Sequence, residues 1–297
     1  MILAAGIGTR LRPLTSIRPK ALMPVANQPV LGATIEYLKK FGVTQIAVNA
    51  HHLSDHLVKY LDGGKPFGLK IEVLVEAEIL GTGGGIKNAA GFWGVEPFLV
   101  INSDIITDLD LSAAIIAHEN AGNKATLVLH DYRPFNKIKV NENSEIVEIP
   151  HGFRPENLAF TGIHIIDPEL INFIPEGVYY DIVDCYRQLI GSGIKIGAYV
   201  ARDFYWRDIG TVGDYMLANK EALKGIPFLI PSSCVIGERV ITKDWAVIGE
   251  DSLVEEGSEV TRSVLWDQVR IRKGVRIIDS IVTSSKNVNR DMVSEIF

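Results

Sequence analysis

The sequence predicts an α/β domain over residues 1–225 and a short left-handed parallel β-helix over residues 226–297. Three observations predict it. Apolar runs of strand length, such as Ile46–Asn49 and the run that ends at Asn102-Ser-Asp104 in Phe98–Asp104, alternate with stretches of helical period, as in a largely parallel sheet with crossover helices. The first apolar run, Met1–Ala5, is broken by Gly6 and Gly8, and a loop carrying Arg10, Arg12, Arg18 and Lys20 follows. Beyond Gly225 the composition changes. A six-residue step runs through Ile230, Ile236, Thr242, Ile248, Val254, Val260, Trp266, Arg272 and Ile278. Small side chains such as Cys234, Ala246, Ser252 and Ser258 stand four residues after its members, and a hexapeptide repeat of this kind winds a parallel β-helix. Arg270, Arg272 and Arg276 interrupt the later repeats, so the last coil is expected to be irregular.

Each strand and helix follows from local signals. Val30–Phe41 has helical spacing and stops at Gly42; Leu53–Leu61 is the next helix; Leu69–Val75 alternates as a strand. Glu76-Ala-Glu78-Ile-Leu-Gly81-Thr-Gly-Gly-Gly85 opens a further helix near Ile86. Ala125–Val147 reads as a strand pair turning at Asn141–Ser144, followed after a polar excursion by the apolar segment Phe160–Asp167. Tyr180–Ile190 is helical, Ile196–Val200 is a strand, and Thr211 is placed to cap a helix over Val212–Leu223.

Composition excludes several classes. At 297 residues and 47% apolar content the chain is globular, and no apolar run approaches membrane-spanning length. A net charge of −6 argues against nucleic acid as a partner. Met1 leads straight into a strand, leaving no room for a signal peptide, and Cys185 and Cys234 lack metal-site spacing; both point to a reducing cytoplasm. His52 and His56 are four apart on a helix, but no third ligand completes a zinc pattern, so a solvated face is the expectation.

The loop after the first strand reads as a triphosphate cradle. Glycines let backbone N–H groups approach a phosphate, and arginine and lysine supply the charge a polyphosphate needs. A dinucleotide fingerprint is excluded because Leu11 stands where a third glycine is required. The ATPase loop is excluded because Lys20 arrives twelve residues after Gly8. What the stretch resembles is the signature of the sugar-1-phosphate nucleotidylyltransferases: Leu3-Ala4-Ala5-Gly6-x-Gly8-Thr9-Arg10-Leu11-x-Pro13-Leu14-Thr15, then Pro19-Lys20-x-Leu22-x-Pro24-Val25.

That resemblance implies a Rossmann-like mixed-sheet nucleotidyltransferase domain. It also implies transfer of a nucleoside monophosphate from a nucleoside triphosphate to a sugar 1-phosphate, with Mg²⁺ as cofactor and pyrophosphate as co-product. By the same resemblance Leu3, Ala4, Ala5, Gly6, Gly8, Thr9, Arg10, Glu78, Gly83 and Ser103 bind the nucleotide. Arg10 holds the triphosphate and Lys20 brings the sugar phosphate to it. Asp104, at the end of a buried strand, and Asp208, in Trp206-Arg-Asp208-Ile-Gly-Thr211, are the implied Mg²⁺ ligands. Glu148 and Gly162 fall in segments that face the sugar in the family. Many relatives have Glu-Lys-Pro where this chain has Glu148-Ile149-Pro150, and Arg154 is the candidate cation to replace that lysine.

Base and sugar are not legible. The segment at Glu78 and the short β-helix resemble mannose-1-phosphate guanylyltransferases, which slightly favours a GDP-mannose-type product. The triple glycine resembles uridylyltransferases acting on amino-sugar phosphates. A catalytically silent, nucleotide-sugar-sensing regulatory subunit is the alternative from another class; Arg10, Lys20, Asp104 and Asp208 are all present and argue against it. No histidine lies beyond His164, so the β-helix is expected to be structural, a packing or homo-oligomerisation element, and not an acyltransferase site.

Overall fold

In a computed structural model all residues 1–297 are described, apart from the side chain of Pro134. They group into two compact units. The first comprises 1–7, 19–21 and 33–207; the second comprises 8–18, 22–32 and 208–297. No helix among the described residues is long and apolar enough to cross a membrane.

The first unit is built on a seven-stranded sheet. Its strands are β1 (Ile2–Leu3), β2 (Gln45–Ala50), β3 (Lys70–Val75), β4 (Phe98–Asn102), β5 (Ala125–His130), β6 (Ala159–Ile166) and β7 (Ile196–Val200), in the spatial order β7-β5-β6-β4-β1-β2-β3. All run parallel except β6, which is antiparallel to both β4 and β5. The chain steps outward from β1 through β2 to β3, then returns to β4 on the other side of β1. That reversal makes a switch point at the carboxyl ends of β1 and β4, where open α/β sheets bind their ligands. β1 and β4 pair in register, Leu3 against Asn102, so the two ends are level.

The helices are α1 (Val30–Lys39), α2 (Ser54–Leu61), α3 (Gly81–Asn88), α4 (Leu111–Ala121), α5 (Ile182–Gly191) and, in the second unit, α6 (Val212–Ala222). Helix α3 begins at Gly81, five residues before the expected Ile86; Gly81 itself is at positive φ (72°), and Gly83, Gly84 and Gly85 continue as helix. Helix α5 begins at Ile182, since the Asp181 side chain accepts from Val183 N–H and ends the extended segment before it. The expected strand pair over 125–147 divides in two. Ala125–His130 belongs to the main sheet, while Lys139–Val140 pairs with Ile146–Glu148 in a separate hairpin. The apolar side chains of β5, α5 and the Leu170–Ile174 segment form the largest described core on one side of the sheet.

In the second unit the C-terminal strands form two parallel sheets. Their ladders are offset by one coil, 18 residues at first (Phe228 opposite Ala246). The offset becomes 17 after a register shift between Lys243 and Ala246 (Val264 opposite Ile281), and 15 at the end (Ile277 opposite Met292). This winding is compatible with the expected β-helix. It corrects the uninterrupted six-residue step. The frame slips, so that Ile271 and Ile277 are fully buried where Arg272 and Ile278 had been assigned inward positions. The interrupting arginines stay outside, with Arg272 paired to Glu255 and Arg276 to Asp291.

The rest of this unit is wired to these parallel strands. The hairpin Pro24–Val25 and Gln28–Pro29 turns through Ala26 and Asn27, both at positive φ, and Asn27 Nδ2 donates to the Ile248 carbonyl. Tyr215 of α6 is fully buried; its hydroxyl donates to Pro24 O (2.7 Å) and accepts from Trp266 Nε1 (2.9 Å).

Buried histidines make the first unit acid-sensitive. His130, at the end of β5, is enclosed by Tyr132, Phe204 and Trp206, and burial lowers its pKa from the ordinary 6.5 to about 4. Burial also lowers His164, whose Nδ1 meets the Tyr186 hydroxyl, to about 3. The unfolded chain takes these protons near pH 6.5 and the folded chain does not. Their contribution to stability is therefore complete above 6.5 and is lost as pH falls towards 4. Thermal melts from pH 7 to 5 should show a falling midpoint, with a shallower fall in His130→Phe; equal slopes in the two proteins would refute the assignment to His130.

Candidate active site

At the switch point of the first unit, the end of β1 is fixed by a buried polar relay. Ala4 N–H donates to Asn49 Oδ1 (2.8 Å), Asn49 Nδ2 donates to Glu76 Oε1 (2.7 Å), and Leu80 N–H donates to Glu76 Oε2 (3.0 Å). Asn49 is 2% exposed and Glu76 4%. The relay joins the ends of β1, β2 and β3 to the segment that opens α3. Ala4 and Ala5 are buried, whereas a Cβ placed on Gly6 would meet nothing within 4 Å, so the backbone emerges into open space there. On the other side of β1, Ser103 N–H donates to Leu3 O (3.0 Å) and Ser103 is buried. Asp104 follows, and its Oδ2 forms an ion pair with Lys20 Nζ, the two side chains being 22% and 13% exposed. The structure thus brings together two residues that are 84 apart in sequence and were both assigned to the chemistry.

The glycine cluster has a packing role that its composition does not indicate. Gly83 and Gly84 N–H both donate to Tyr180 O (2.9 and 3.1 Å), so the N-terminus of α3 is already engaged by a carbonyl. A Cβ on Gly81 would lie 2.7 Å from Tyr180 O, and one on Gly84 2.7 Å from Val178 O. These glycines are small so that the 178–182 segment can lie directly on the helix. Thr82 completes the joint, its hydroxyl accepting from Ile182 N–H and donating to Asp181 Oδ1. A Cβ on Gly85 would lie 2.6 Å from Asn49 Nδ2, so this glycine makes room for the relay. Glu78 is exposed, while Glu76, two residues earlier, is the integrated carboxylate. Asn49 and Glu76 carry the signal that marked Asp104, a polar residue closing an apolar strand, and sequence reasoning passed over them.

Of the residues assigned to the sugar, Gly162 (φ +77°) sits where β6 shifts register against β5. A Cβ there would be 2.6 Å from Asn102 Nδ2. Glu148 is exposed at the end of the Ile146–Glu148 strand. Ile149, in place of the family's lysine, is buried, and its carbonyl accepts from Arg187 Nε (2.8 Å). Arg154 is exposed, and its guanidinium donates to the adjacent Phe153 carbonyl (3.2 Å).

The second unit holds the other assigned charges. Gly8 (φ 66°) turns the chain into the Thr9–Leu11 turn, and fully buried Leu11 and Leu14 anchor the loop. Thr15 Oγ1 donates back to Gly8 O (2.8 Å), closing the loop on itself. Arg10 and Asp208 both approach Gly210. A Cβ there would lie 3.0 Å from Arg10 Nη2 and 3.0 Å from Asp208 Oδ2. Thr211 then caps α6 as expected, in a reciprocal box with Asp214.

The nucleotidyl transferase family model matches residues 1–225. The chain belongs to that family. It is 30% identical to a UTP–glucose-1-phosphate uridylyltransferase of Synechocystis, over 95% of this chain and 86% of the relative. It is 28% identical to a mannose-1-phosphate guanylyltransferase of Mycobacterium tuberculosis, over 92% of this chain and 81% of the relative. Among solved structures, a putative glucose-1-phosphate thymidylyltransferase from Bacillus anthracis superposes with a TM-score of 0.66 at 26% identity, covering 74% of this chain and 93% of that one.

Two substitutions test the site. Asn49→Ala leaves Ala4 N–H and the Glu76 carboxylate short of partners in a buried place, and should cost about 3 kcal/mol in denaturant unfolding. A loss below about 1 kcal/mol would mean that water replaces the relay. Gly210→Ala crowds Arg10 and Asp208 at the ends of side chains that can yield. It should leave the thermal midpoint within about 4 °C of the parent. Turnover should nevertheless fall on the order of 100-fold, as misplaced groups predict. Unchanged turnover would remove Arg10 and Asp208 from the reaction.

Proposed function

We propose that this member of the family transfers a nucleoside monophosphate from a nucleoside triphosphate to a sugar 1-phosphate, releasing pyrophosphate. The observation that carries this reading is the Lys20–Asp104 pair at the switch point, an ammonium and a carboxylate at the end of the central strands. The sugar phosphate is already a nucleophile, so the protein needs no covalent intermediate. It has to align an oxygen of one phosphate with the α-phosphorus of another against their mutual repulsion. Lys20 balances Asp104 in the free enzyme and offers its ammonium to the phosphates as they enter. Arg10 binds the β- and γ-phosphates and gains interaction as charge collects on the departing pyrophosphate. The backbone from Leu3 to Gly8, with Thr9 and Ser103, lines the nucleotide, and Glu78 and Gly83 bound its base.

Mg²⁺ suits these residues. Asp104 is a hard oxygen donor that keeps part of its surface open, and Asp208 is a second, held beside Gly210. When bound, the ion neutralises phosphate charge and polarises the α-phosphate. Glu148 and Gly162 are assigned to the sugar. Arg154 is the weaker candidate for the sugar phosphate, because its guanidinium is exposed and turned to its own backbone. The C-terminal strands are read as a left-handed β-helix, with corners at positive-φ residues such as Asp251 and Gln268.

GTP with mannose 1-phosphate and UTP with a hexose or amino-sugar 1-phosphate are the two substrate pairs in view. The first follows the guanylyltransferase-like segment at Glu78, the second the triple glycine and the uridylyltransferase relative. Pyrophosphate release measured across four triphosphates and a panel of sugar 1-phosphates should single out one pair. Asp104→Asn and Asp208→Asn should each lower that turnover on the order of 100-fold or more while the fold is kept. Silence across the whole panel would favour a regulatory subunit, and near-normal turnover in either variant would refute that residue's role.

A further inference from the structure

A cavity of about 550 Å³ opens within the second unit, between the Pro13–Arg18 segment and the last strands. Its size falls in the range of small-molecule sites. Arg18 and Lys286 both line it, as do the hydroxyl-bearing Thr283 and Ser284. The Arg18 guanidinium lies 4.4 Å from the centre of the buried Trp266 ring, and Nη2 donates to Ser284 Oγ (3.2 Å). Lys286 Nζ lies 4.6 Å from the centre of the Phe297 ring. Two ring faces therefore orient two cations towards one space.

Neither cation has an acidic partner within 4 Å among the described residues, and the nearby coil makes that unusual. Arg239, Arg262, Arg272, Arg276 and Arg290 each hold a carboxylate. Asp267 acts on Arg18 from a distance, but its Oδ1 accepts from Glu250 N–H. A half-buried guanidinium without a counter-ion is costly, and burial lowers its pKa from the ordinary value. The missing anion has room to enter from the cavity. Two cations flanking hydroxyl donors match the tetrahedral oxygens of a phosphate better than a single carboxylate. The volume exceeds that of a bare phosphate, and Pro13, Ile17 and Ile296 give the remaining wall an apolar character suited to the carbon face of a sugar.

We propose that this cavity binds a phosphate monoester of hexose-phosphate size, at a site separate from the Lys20–Asp104 pair. The proposal does not depend on the reaction assigned above. Calorimetric titration of the full chain with a hexose 6-phosphate, and separately with inorganic phosphate, tests it. The hexose 6-phosphate is expected to bind at millimolar concentration or tighter. Arg18→Gln and Lys286→Gln are each expected to weaken it about tenfold or more, the loss of one charge-assisted contact. Lys20→Ala should bind like the parent. Equal binding of inorganic phosphate would support a site that reads the phosphate alone, and weaker binding one that also reads the sugar. Lys286 packs only on an exposed ring, so its variant keeps the test valid if Arg18→Gln unfolds. The proposal is overturned if neither ligand binds, if binding survives the Lys286 variant intact, or if Lys20→Ala abolishes it.

Discussion

Glu76 ends β3 as a carboxylate with 4% exposure, and both of its oxygens are held by neutral donors, Asn49 Nδ2 and Leu80 N–H. Removing such a group from water costs several kcal/mol unless its lone pairs are met, so these donors form one cooperative set. Because Asn49 also accepts from Ala4 N–H through its amide oxygen, the direction in which the chain leaves β1 depends on the same carboxylate. Gly85 has to be glycine for Asn49 and Glu76 to meet, which ties the start of α3 to the relay. The backbone that emerges at Gly6 is thereby aimed by residues that need not touch a ligand themselves.

Strands and helices that bury one continuous apolar run were legible in the sequence, since burial on both faces leaves little choice of register. That is why Ile46–Asn49 and Ile196–Val200 fall within strands as expected, why the strand expected over Phe98–Asp104 forms as far as Asn102, and why Thr211 caps its helix. Less legible were features set by partners far away in the chain. The α3 glycines read as a ligand-facing turn, and the close packing of Val178 and Tyr180 on them, about a hundred residues later, was not visible. Glu78 stood out by resemblance, whereas Glu76 carried only the signal of a polar residue closing an apolar strand, which does not say that Asn49 will meet it. The hexapeptide step was visible from Ile230 to Val260, and the slip that places Leu265 and not Trp266 opposite Ile248 was not. A coil can shed a residue at a corner while the ladder absorbs the shift, and sequence spacing alone does not say where.

The glycine-rich loop and the C-terminal strands looked like separate parts, one chemical and one structural. Contacts within the second unit join them. Trp266, a coil residue, donates to the Tyr215 hydroxyl, which in turn donates to Pro24 O in the segment following Lys20. The same indole lies under Arg18, at the end of the loop that begins at Gly8. Between Gly8 and Arg18 the backbone is a run of short turns, with Arg18 N–H bonded to Leu14 O and the Thr15 hydroxyl bonded to Gly8 O. A loop of this length with exposed arginines would otherwise sample many conformations, and ordering it would cost entropy on binding any ligand. Pinning both its far end and the hairpin beyond it to a stack of parallel strands removes much of that cost before any ligand arrives. The C-terminal parallel strands therefore hold the far end of the loop that carries Arg10, which is a more specific role than packing alone.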